Sequence, residues 1–161
     1  MTTRREFLKT GLAGGILLNL AGCNRPAENG GRAKILLALI PVMLAGAISP
    51  QPETAARQLK RTLTGVETAI RDLSLATQKE IAELFDLLAF PPTRMLVAGL
   101  WSAWDEATPA SLNVFLQSWR HSRFDLLKSG YAALHDLILG AWYAHADSWA
   151  AIGYPGPPMV K

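Results

Sequence analysis

Three histidines, His121, His135 and His145, are the side chains best suited to chemistry in this chain. Imidazole titrates near neutral pH and ligates metals, so acid–base work and metal binding are the chemistries to consider. Two ligands share one helical face when they stand three or four residues apart. No pair of these histidines has that spacing, and His135 and His145 are ten apart. The spacing supports surface or hydrogen-bonded histidines over a metal site. His121, Asp125, His135 and Asp136 carry acid–base groups, but no local pattern orients them. Glu80, Glu83 and Asp86 fall opposite Ile81 and Leu84 on a predicted helix and read as a solvated face. Dinucleotide-binding, Walker and nucleophile-elbow motifs are absent.

The remaining reactive side chain is Cys23, the only cysteine. A lone cysteine has no partner for an internal disulfide or a Cys-x-x-Cys-His haem attachment, and once Cys23 is acylated no thiol is left for Cys-ligated zinc or iron–sulfur clusters. Its setting is informative. Leu20-Ala21-Gly22-Cys23 resembles a lipobox, in which small residues admit the signal peptidase and the thiol accepts a diacylglycerol. Upstream, Thr3-Arg4-Arg5-Glu6-Phe7-Leu8-Lys9 resembles the twin-arginine export consensus, with Arg4, Arg5, Phe7, Leu8 and Lys9 at its demanding positions. Gly11 to Gly22 between them is too short to span a bilayer, which takes roughly 20 apolar residues. These parts predict a signal over residues 1–22 and a lipid anchor on Cys23. The twin-arginine route carries folded cargo, which usually holds a cofactor or is bound to a protein that does.

Composition narrows the remainder. Cys23 to Lys161 suits one modest domain. Arg4, Arg5, Lys9 and Glu6 account for +2 of the formal +3 charge, so the body is close to neutral. No basic patch argues for nucleic acid, and Arg57-Gln58-Leu59-Lys60-Arg61 reads as a solvated helix edge.

The elements that must position these residues are helical. Residues 23–32, polar with a Gly pair, read as a flexible tether, and residues 33–161 as the domain. Ala33 to Ser49 is apolar almost throughout, with Pro41 inside it, and predicts a helix covered either by its own domain or by another protein. Leu59, Leu63, Val66 and Ile70 predict an amphipathic helix over 53–73. Thr77 to Glu80 reads as a capping box opening the next helix. Pro92 predicts a helix to about Trp104, and Thr108-Pro109 opens another. Ser122 to Tyr143 continues helically, and Asp147 to Ile152 predicts a short turn. No stretch alternates with a strand's period of two. The expectation is an all-α single small domain of five or six helices with an irregular Pro/Gly-rich C-terminal tail.

All five tryptophans follow residue 100. Trp119-Arg120-His121-Ser122-Arg123 sets arginines beside an aromatic, and Trp142-Tyr143 leads to Trp149 and Gly153-Tyr154-Pro155-Gly156. Trp, Tyr and Arg dominate interface hot spots, so Trp119, Arg120, Arg123, Trp142, Tyr143, Trp149, Gly153, Tyr154, Pro155 and Gly156 are candidate partner-binding residues. For Trp119 and Trp142 a place in the core is an equal reading. The prolines stiffen the tail and preorganise it for docking.

The Trp149-x-x-Ile152-Gly153-Tyr154-Pro155-Gly156 ending resembles the C-terminus of the gluconate 2-dehydrogenase subunit 3 family. Ile81-x-x-Leu84-Phe85 and Trp119-Arg120-x-Ser122 resemble a divergent branch of it, and the lipobox is an addition to its pattern. The resemblance implies a small helical subunit with a twin-arginine signal. Its partner would be a large FAD-dependent oxidoreductase of the glucose–methanol–choline type, often accompanied by a cytochrome c subunit. It also implies no catalytic residue and no cofactor or metal in this chain. The expected location is the periplasmic face of the envelope. The alternative from the residues alone is a stand-alone helical lipoprotein that binds a small apolar ligand or the envelope.

Overall fold

The computed structural model describes residues 29–149 and 152–156. The signal residues Arg4, Arg5, Phe7, Leu8 and Lys9, the lipidation residue Cys23 and tether residues 24–28 lie outside the described residues. The described chain is all-helical. It runs α1 (Asn29–Met43), α2 (Pro52–Asp72), α3 (Leu75–Ala89), α4 (Pro91–Thr93), a π-helical turn (Arg94–Ala98), α5 (Pro109–Arg120), α6 (Asp125–Tyr143) and a 3₁₀ turn (Ala146–Ser148).

The apolar α1 is the centre of the fold. It packs against α2, α3, α5 and α6, and Ile35, Leu36, Leu39 and Ile40 are fully buried. The domain's own helices therefore cover Ile35, Leu36, Leu39, Ile40 and Leu44 of the apolar 35–48 stretch, whereas Leu37 is 45% exposed. Covered on several sides, α1 needs no polar stripe. The helix also begins inside the expected tether, so residues 29–32 are helical and not linker. Glycine pairs disfavour helix, but contact of this first turn with α3 overrides propensity: a Cβ on Gly31 would stand 3.9 Å from that of Ala89. Pro41 lies within α1 and lacks an amide to donate, and the helix ends two residues later.

Helices α2 and α6 run antiparallel, because Gly65 meets Ala141 while the earlier Arg61 meets the later Asp147. Gly65 permits the close approach: its Cβ would be 3.0 Å from Ala141 Cβ. The predicted face of α2 holds, with Val66 and Ile70 buried and Leu59 and Leu63 packed beside the core.

Several boundaries differ from the sequence expectation. The cap of α3 is Ser74, whose Oγ accepts the Thr77 amide at 3.2 Å, so Thr77 is inside the helix it was expected to open. The segment after Pro91 stops at Ala98, because Gly99 turns left-handed at φ 65°. Buried Arg94 holds that turn by donating from Nε to the Leu100 carbonyl at 3.3 Å. Thr108 caps α5 as expected, accepting the Ser111 amide. Helix α6 starts at Asp125, after a connection in which Ser122 Oγ accepts the Phe124 amide.

Candidate functional site

Trp119 and Trp142 belong to the core and not to a docking surface; each is 2% exposed. Trp119 packs edge-on against Phe115 at 4.9 Å, Phe115 packs edge-on against Trp104 at 5.8 Å, and the Trp119 indole donates to the Val97 carbonyl at 2.7 Å. A buried indole needs such an acceptor, and finding one makes the core stable for a polar aromatic. Their sequence signal was composition alone, which does not separate core from surface.

The other candidates are exposed or half-buried, but they form two groups. Arg120 and Arg123 lie at the turn from α5 into α6, where the Arg123 guanidinium sits 4.9 Å from the centre of the Phe124 ring. This pairing orients the cation over the ring face. One residue on, Lys128 bonds Asp125 at 2.7 Å and holds its carboxyl below the usual carboxylate value. Tyr143, Trp149 and Gly153–Gly156 lie at the far end of α6. At 1.5 Å per residue, Asp125 and Tyr143 are about 27 Å apart along the helix. The arginine turn and the aromatic tail do not form one patch.

The described tail residues are tied to one another. The Trp149 indole donates to the Tyr143 carbonyl at 2.8 Å, and the Trp149 carbonyl accepts the amides of Ile152 and Tyr154 at 3.1 and 3.0 Å. The Tyr154 ring stands edge-on to Trp149 at 5.3 Å. Gly153 and Gly156 adopt φ values of 67° and 100°, and a Cβ on Gly156 would lie 3.2 Å from the Trp149 ring. Glycine serves both needs, the left-handed backbone and the close approach. Arg61 of α2 fastens the unit by bonding Asp147 at 2.5 Å, which holds that carboxyl below its usual value. The Arg61–Asp147 tie spans most of the chain and carries no local sequence signal. Tyr143, Ile152 and Tyr154 face solvent around this framework.

The acid–base candidates are dispersed. His135 Nδ1 and Asp136 Oδ1 are 3.0 Å apart, with Tyr131 tilted against the imidazole, whereas His121 is exposed at the arginine turn. Asp125 and His135 are about 15 Å apart along α6. Among the described residues, no three His, Cys, Asp or Glu side chains are grouped to hold a metal. His145 instead borders an open groove of about 690 Å³ between α2 and α6, floored by Gly65, Ala69, Gly140 and Ala141 and edged by Arg57, Lys60 and Arg61.

No family model, curated protein or solved structure matches this chain.

Proposed function

We propose that this protein is a non-catalytic small subunit that binds a flavin-dependent oxidoreductase, accompanies it through the twin-arginine translocase and holds it at the periplasmic membrane face. The observation that carries this reading is the C-terminal unit. Trp149, Gly153 and Gly156 fix its backbone while leaving the Tyr143, Ile152 and Tyr154 side chains in solvent. A preformed aromatic surface loses little conformational entropy on docking. The Arg4-Arg5 signal supplies export of folded cargo, Cys23 supplies the anchor, and the resemblance of the tail names the partner class. FAD belongs to the partner, with a cytochrome c subunit as a further member of the complex. The test replaces Arg4 and Arg5 by lysine and follows a co-expressed flavoprotein partner. Its periplasmic activity falls to background if it travels with this chain; undiminished export of the partner overturns the reading.

The α2–α6 groove favours a second reading, a stand-alone helical lipoprotein with a small apolar ligand over Gly65 and Ala141. A purified chain that is monomeric, stable and carries such a ligand supports it.

A further inference from the structure

The corner around α4 carries three large apolar side chains in solvent: Phe90, Leu96 and Trp101 are 52%, 85% and 79% exposed. Isolated exposed apolar residues are ordinary, but these belong to one tied unit. Thr93 Oγ1 bonds the Leu87 carbonyl, Arg94 bonds the Leu100 carbonyl, and the Trp104 indole donates to the Leu88 carbonyl at 3.0 Å. The first turn of α1 touches both ends of this unit, through Gly31 beside Ala89 and Lys34 at 3.7 Å from Asp105. Cys23 is six residues before Asn29, and six residues reach at most about 20 Å even when fully extended. A lipid on Cys23 thus keeps this corner within one short span of the bilayer surface.

We infer that the Phe90–Trp101 corner is a membrane-contacting face whose apolar side chains enter the interfacial region of the bilayer that holds Cys23. This rests on the anchoring reading above. Tryptophan prefers that region, where its ring is apolar and its N–H remains hydrated. The formal charges in and around the corner, Arg32, Lys34 and Arg94 against Asp86, Asp105 and Glu106, cancel. The attraction is therefore apolar and insensitive to salt and to anionic lipid.

The test uses the full mature chain isolated from the envelope, its Cys23 acylation read by mass spectrometry, reconstituted into zwitterionic phosphatidylcholine vesicles with brominated acyl chains. Tryptophan emission is quenched in the parent, at low and high salt alike, and the quenching falls to background in Trp101→Phe. Acylated protein whose quenching is equal in parent and Trp101→Phe overturns the membrane face alone, as does Trp101 shielded by a bound protein or a second copy. An unacylated Cys23 overturns the anchoring reading and this inference with it.

Discussion

Gly130 and Gly140 sit on the same helix, α6, yet a methyl group would have opposite effects at the two positions. A Cβ at Gly130 would be 2.5 Å from Cζ3 of Trp119, while nothing lies within 4 Å of one at Gly140. Trp119 has no room to retreat, since its indole is hydrogen-bonded to Val97 and its ring packs on Phe115. Overpacking of this kind costs about 1–3 kcal/mol, against a helix-propensity gain of up to about 1 kcal/mol for glycine to alanine. Gly130→Ala is therefore destabilising by up to about 2 kcal/mol, and Gly140→Ala is stabilising by up to about 1 kcal/mol. Denaturant unfolding of the two variants checks both signs. Asp147 gives a second residue-scale prediction. Arg61 depresses its folded pKa below the ordinary 3.8, so the tie stabilises the tail above that value and is lost as pH falls through the depressed one. Acid should loosen the tail, read as a change in Trp149 emission or protease cleavage after Tyr143. The Asp125 carboxyl is likewise held below its ordinary value, by Lys128. Asp147→Asn isolates the tail's share, since that variant should show a loosened tail at neutral pH and no further acid-dependent release.

Among the elements, α1 packs against four other helices. Leu39 is fully buried, so Leu39→Ala removes a side chain from the meeting point of several helices and costs roughly 2–5 kcal/mol by thermal or denaturant unfolding. The amphipathic helices were legible because their apolar residues repeat at the helical period, as with Val66 and Ile70 on α2 or Leu112, Phe115 and Leu116 on α5. Thr108 was legible as a cap because a proline follows it. Where two hydroxyl residues compete, local pattern does not decide, and Ser74 caps α3 in place of Thr77. The early end at Ala98 depends on Gly99 and on the buried Arg94 contact, the second of which is tertiary. The same limit governs the site. A tryptophan reads alike in sequence whether its indole finds a carbonyl in the core, as Trp119 does, or stands in solvent, as Trp101 does.

For the whole molecule, the distribution of surfaces matters more than any single residue. The apolar α1 is largely covered by its own domain, and the exposed features among the described residues include the arginine turn, the aromatic tail and the Phe90–Trp101 corner. In the proposed reading the tail is the partner surface, and the corner lies close to the lipid through a short connection. One surface is thus assigned to the membrane in this proposal and another to the cargo. The most direct test is purification of the acylated chain from its native envelope, followed by an absorbance spectrum and a mass of whatever accompanies it. The account predicts a larger, yellow, FAD-containing chain that is lost when Tyr143, Ile152 and Tyr154 are replaced together by serine. A chain that emerges alone, monomeric and stable would contradict it.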